Sequence, residues 1–194
     1  MRLLEQITKH EMMRRWAIGE VHVDLLSSNS AELYKTLKLL LSQKIELEKE
    51  GINRALKYRH LCLIDCIAED AAWYLAALDI TQNEFNRLNT LTVPDLAMVT
   101  NNTYKINYGA HIIRQNPDLN PRISNIMNAL RKKHRTVQLT GITLLAKNAT
   151  GPFTIVEGNG RLISLYNILF NEGIALKFAK NDLQVVLAIS NEGI

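Results

Sequence analysis

Cysteine is nearly missing from this 194-residue chain: only Cys62 and Cys66 occur, four residues apart in a run rich in Leu, Ile and Ala. That spacing places both thiols on one helical face, where buried, inert sulfur is the plain reading. A zinc site is the sharper alternative, but His60 is the one nearby partner, and a spacing of four within a helix is a poor pattern for structural zinc. Long apolar runs are missing too. No stretch reaches the length of a membrane span, and Met1-Arg-Leu-Leu-Glu5 lacks the hydrophobic core of a secretory signal. A cytoplasmic protein without membrane insertion is therefore expected. Also absent are a Walker loop, a dinucleotide fingerprint, an internal repeat, a zinc finger and helix-turn-helix spacing. Their absence removes the common nucleotide signatures, solenoids and the usual sequence-reading DNA modules. Four histidines, His22, His60, His111 and His134, stand in no spacing that pairs them with a nucleophile or a metal.

What is present is an ordinary core-forming composition, with 47% hydrophobic residues. A chain of this length can bury one core, or pack a helical section closely on a smaller α/β section. The first hundred residues read as helices. Thr8-Lys-His-Glu11 is a capping box that opens a helix through Met12, Met13, Trp16 and Ala17, ending near Gly19. A Leu-rich helix is expected over residues 31–50, ended by Gly51, and another over 52–78, through Trp73 and Tyr74. Thr81-Gln-Asn-Glu84 is a second capping box before a short helix through Phe85 and Leu88, and Pro94 opens a further one. The polar, glycine-punctuated run from residue 100 to 115 reads as a loop or short strand, in which Tyr104 and Tyr108 either stack on a ligand or simply pack. Asn120-Pro121 is an N-cap and first helical residue. The closing run, residues 183–189, is an apolar strand that completes a sheet.

The most informative stretch begins at Phe153. An aromatic, β-branched run to Val156 favours a strand, Gly158-Asn159-Gly160 breaks it, and Leu162, Leu165, Tyr166 and Leu169 recur at helical spacing. Such a junction exposes backbone N–H groups at a positive helix end, with Glu157 before the turn and Arg161 after it. A phosphate would fit there. The plain alternative is a connecting turn with a surface ion pair of little energy.

The order of strand 141–147, turn 148–151, strand 152–156, Glu157-Gly158-Asn159-Gly160-Arg161 and apolar helix resembles the core of the ParB/sulfiredoxin superfamily, over about the last third of the chain. Gly158 to Arg161 match that superfamily's Gly-x-x-Arg turn, and Glu157 stands in its acidic position. Gly160 departs from the commoner forms, which carry His or Arg before the arginine. The superfamily includes nucleotide-binding partition proteins, small-molecule kinases, sulfiredoxin-type enzymes, and plasmid-encoded inhibitors of conjugation or oncogenic DNA transfer with ATPase and DNase activity. Sulfiredoxin chemistry needs a cysteine beside the turn, which this chain lacks. Fic enzymes also carry Gly-Asn-Gly-Arg, but their His-Pro-Phe lead-in is Gly151-Pro152-Phe153 here and their second arginine is Ser164.

The resemblance implies an α/β protein with a helical N-terminal part, residues 1–100, packed as one unit on a ParB/sulfiredoxin-like core, residues 101–194. It implies binding of ATP or CTP with Mg2+, Glu157 and Arg161 acting in catalysis, and Gly158, Asn159, Gly160 and Ser164 holding the nucleotide. Glu157 would also orient the metal. DNA is a further expected partner. Between Arg114 and Arg135 stand Arg114, Arg122, Arg131, Lys132, Lys133 and Arg135 against the single acid Asp118, a larger excess than the chain's net charge of +4. Arg131, Lys132, Lys133 and Arg135 would hold a DNA backbone in a salt-sensitive way, or would form a solvated helix end. ATP hydrolysis, extended to metal-assisted DNA cleavage, is the expected function. A non-catalytic inhibitor that binds a protein partner and a small-molecule kinase are the alternatives.

Overall fold

The computed structural model describes residues 1–59, 64, 67, 69, 71–132, 139–178 and 183–191. Expectations for His60, Cys62, Cys66, Lys133, His134 and Arg135 lie outside these residues. The fold is mixed α/β: a six-stranded sheet in the order β1-β2-β6-β4-β5-β3, with helices on both faces. The strands are β1 (Arg2–Ile7), β2 (Ala72–Leu78), β3 (Leu88–Thr90), β4 (Thr143–Ala146), β5 (Phe153–Glu157) and β6 (Leu183–Ile189). β2 is antiparallel to β1 and β6, β4 runs parallel to β6 and antiparallel to β5, and β3 closes the edge parallel to β5. The expected β4–β5 hairpin and the closing strand are both present, but β6 lies inside the sheet.

Strand alternation sends one set of side chains to each face. Leu144, Ile155, Val185 and Leu187 meet α6 (Ile106–Gln115), α7 (Pro121–Arg131) and α8 (Asn159–Tyr166) in one core. Leu145, Val156, Val186 and Ala188 meet Met12, Trp16 and Ala17 of α1 (Lys9–Asp24), Leu40 of α2 (Ala31–Leu40) and Ile52 and Leu56 of α3 (Ile45–Leu56) in the other. Two short helices, α4 (Gln82–Phe85) and α5 (Pro94–Thr100), flank β3.

Local capping reads correctly from sequence. The Thr8 hydroxyl accepts the Glu11 N–H at 3.1 Å, the Thr81 hydroxyl accepts that of Glu84 at 3.2 Å, and Asn120 Oδ1 accepts that of Ile123 at 3.1 Å. Each satisfies an N–H that the first helical turn leaves without a partner.

Four expectations are corrected. The helix expected over residues 52–78 ends at Leu56, and Ala72–Leu78 is strand β2. Its unbroken run of Ala, Leu and aromatics suits a strand buried between β1 and β6 as well as a helix, and tertiary pairing decides between them. The helix over 31–50 is two helices that fold back at Gln43, whose φ is +58°. Gly51 does not end one of them but sits inside α3, where a Cβ would lie 2.9 Å from Leu40 Cγ, so the two helices can approach closely. The expected loop before residue 115 is mostly α6; Ile106, Ala110 and Ile113, all fully buried, form the helical stripe that the intervening polar residues disguise. Lastly, α1 runs through Gly19 to Asp24. One sheet thus takes β1, β2 and β3 from the part expected to be helical. No helix among the described residues is long and apolar enough to cross a membrane.

Candidate phosphate-binding cleft at the β5–α8 junction

The turn after β5 is made by Gly158, with φ +95° and ψ +16°. A side chain is disfavoured there twice over, by that left-handed backbone and by Ile142, whose Cα would lie 3.1 Å from a Cβ. No side chain caps α8, and the Gly158 N–H donates to Glu157 Oε1 at 3.0 Å. The junction opens on a cleft of about 380 Å³ that Glu157, Gly158, Asn159, Gly160 and Arg161 all line. The five residues singled out in the sequence thus lie together along one cleft.

Arg161 is only 3% exposed. Its Nη2 donates to the Gly141 carbonyl at 3.2 Å and lies 3.4 Å from Glu20 Oε1 and 3.7 Å from Glu157 Oε1. Its Nε and Nη1 have no hydrogen-bond partner, and neither does Asn159 Oδ1. Space for the guanidinium exists because α1 carries Gly19, where a Cβ would stand 2.3 Å from Nη1.

Three further charged groups line the cleft, Glu20, Arg59 and Arg122, and Asp24 stands behind them. Glu20, 5% exposed, receives Arg59 Nε at 2.7 Å and Arg122 Nη2 at 2.8 Å. One turn later, Asp24 Oδ1 meets Arg59 Nη2 at 3.2 Å and Arg122 Nη1 at 2.9 Å. Val23, Leu96, Ile123 and Ile126 form an apolar wall, and Tyr58, 85% exposed, stands at the rim. Sequence reasoning missed Glu20, Asp24 and Arg59. Glu20 and Asp24 do share an i, i+4 face, but ending the helix at Gly19 hid that signal.

Two expected ligands of the nucleotide or DNA stand elsewhere. Ser164 is fully buried, donates to the Gly160 carbonyl at 2.7 Å and approaches that of Ile123 at 3.2 Å, and so ties α8 to α7 without lining the cleft. Arg131 forms a forked pair with Glu172 at 3.0 and 2.6 Å and donates to Asn128 at 2.8 Å. That pairing raises the Arg131 pKa and lowers that of Glu172. Its charge is thus largely answered within the fold, while Lys132 is exposed. Arg122 turns away from this stretch into the cleft.

Among the described residues no group of three or more His, Cys, Asp or Glu is placed to hold a metal. The Glu157 carboxylate, the expected ligand, instead takes an N–H and faces a guanidinium.

Burial raises the Glu157 pKa above its ordinary 4.5; Arg161 opposes the shift and Glu20 adds to it. The folded chain therefore holds this proton more tightly than the unfolded chain does. The resulting stabilisation is full below 4.5 and is lost as pH rises through the raised folded value. Urea denaturation should accordingly show wild type losing stability over that window relative to Glu157→Gln, which has no proton to lose there. Parallel pH profiles for the two proteins would refute the shift.

The chain matches no family model, no curated protein and no solved structure. The functional reading rests on the cleft alone.

Proposed function

We propose that this protein binds a nucleotide by its phosphates in the β5–α8 cleft and hydrolyses ATP. The observation that carries this reading is that Arg59, Arg122 and Arg161, from three separate segments, line one cleft with an uncapped helix N-terminus bracketed by glycines. Guanidinium forks and helix-end N–H groups are the donors that phosphate oxygens need. The apolar wall beside them suits a base, with Tyr58 placed to stack on it. A ParB/sulfiredoxin-like core is part of the proposal, supported by the hairpin, the Gly-Asn-Gly-Arg turn and the helix that follows it.

In this reading Glu157 is the general base. It takes a proton from water as the water oxygen bonds to the terminal phosphorus and the bond to the bridging oxygen breaks, releasing ADP and phosphate. A carboxyl of raised pKa is a better base than an ordinary one. No step is routed through a metal, and DNA cleavage is not part of the reading. The second reading is a binding-only protein, favoured by the fact that each carboxylate of the cleft already faces an arginine.

Calorimetry with ATP and CTP tests the assignment. Arg122→Ala is the informative variant, because its side chain is 40% exposed, against 3% for Arg161. Nucleotide affinity is expected to fall about tenfold or more, the effect of losing one charge-assisted phosphate contact. Unchanged affinity would place the nucleotide elsewhere. Glu157→Gln should keep binding and lose hydrolysis; if hydrolysis survives, Glu157 is not the base.

A further inference from the structure

Glu20 occupies the point on which all three arginines of the cleft converge, at 2.7 Å from Arg59, 2.8 Å from Arg122 and 3.4 Å from Arg161. A single carboxylate with three guanidiniums around it, next to a helix N-terminus, has the surroundings of a bound phosphate. Beside it Arg161, 97% buried, keeps two nitrogens without an acceptor, so the donors at this point outnumber the acceptors the chain supplies. We propose that Glu20 is a resident anion that sets the charge of the ligand: a phosphomonoester with two negative charges displaces it, whereas a singly charged phosphodiester or carboxylate does not. The proposal rests on the phosphate-binding reading above.

The argument is one of exchange. Arg59, Arg122 and Arg161 stand against Glu20, Asp24 and Glu157, so cations and carboxylates balance in number. A monoanion that replaces Glu20 swaps charge for charge, and it loses to a carboxylate already tethered at the site, which has no association entropy to overcome. A dianion adds one charge to the attraction of the same arginines. Arg59 and Arg122 have side chains 29% and 40% exposed, and Asp24 anchors both by other nitrogens, so they can stay with either anion. The same rule separates a nucleotide's terminal phosphate from the singly charged phosphates of a DNA backbone.

The test is calorimetry on the full chain with ATP and with ATP methylated on its terminal phosphate, at about pH 8, where the unmodified terminal phosphate carries two charges. Wild type is expected to prefer ATP by about tenfold or more, and Glu20→Gln to lose most of that preference by binding the ester more tightly. Should Glu20→Gln fail to fold, Glu20→Asp, which keeps the charge but shortens its reach to the arginines, is read in its place and is expected to narrow the preference in the same direction. Equal affinity of wild type for the two ligands, or a Glu20→Gln variant that keeps the full preference, would overturn the proposal and leave phosphate binding standing. If neither ligand binds wild type or the variant, the phosphate-binding reading itself falls, and this inference with it.

Discussion

Arg161→Ala is expected to lower the unfolding free energy by about 3–5 kcal/mol, the usual effect of removing one partner from a buried ion cluster. The side chain is 3% exposed, so solvent cannot replace what it provides. Its loss would leave Glu20 without one of its three cations and would deprive Glu157 of the stronger of the two cations, Arg161 and Arg59, that oppose the upward shift of its pKa. The Gly141 carbonyl would lose its donor at 3.2 Å. For a chain of this size the midpoint of thermal unfolding should fall by roughly 2–4 °C per kcal/mol. Arg161→Lys tests reach: Nη2 alone meets Gly141, Glu20 and Glu157, and an ammonium that attains its place should recover part of the loss. A loss below about 1 kcal/mol, the level of a surface ion pair, would show that the cluster is not a buried one. This fall in stability also makes Arg161→Ala a poor probe of nucleotide binding, for which Arg122→Ala is cleaner.

Gly19→Ala is the second large effect, and its sign is opposite to the one helix propensity suggests. Inside an exposed helix the change would stabilise by about 1 kcal/mol. At position 19 the new Cβ would lie 2.3 Å from Arg161 Nη1 and 2.4 Å from the Thr140 carbonyl oxygen, both inside contact distance. The guanidinium could leave its place but the Thr140 backbone cannot, so α1 has to shift away from it, and overpacking of this kind costs about 1–3 kcal/mol. Adding Arg161→Ala should not restore the loss, because the clash with backbone at Thr140 remains. Chemical denaturation of the single and double variants decides the matter. A Gly19→Ala protein more stable than wild type would mean that α1 sits farther from Arg161 than described.

These two residues also show how unevenly the molecule is written in its sequence. Arg161 was visible because strand, glycine turn and helix follow one another within a dozen residues, and short-range geometry alone places its backbone at a helix start. Nothing local says that its side chain is buried, or that α1 supplies the glycine that makes room for it. Glu20 and Arg59 are ordinary surface-type residues by sequence. They become a site only when α1 and the segment after α3 cross the end of β5. Ser164 is the converse case, a hydroxyl in the right position along the chain whose helical phase turns it toward α7.

By itself the sequence determined what neighbouring residues can settle among themselves. The caps at Thr8, Thr81 and Asn120, the hairpin of β4 and β5, the Gly158 turn and the apolar closing strand each depend on hydrogen bonds or φ preferences spanning a few positions. Tertiary structure decided the rest. Ala72–Leu78 became a strand because β1 and β6 offered it partners on both sides, and a helix there would have left those edges bare. The cleft likewise needed Glu20, Asp24, Arg59, Arg122, Glu157 and Arg161 to meet, a coincidence of distant segments that the sheet and its two helical layers bring about and that no local pattern records.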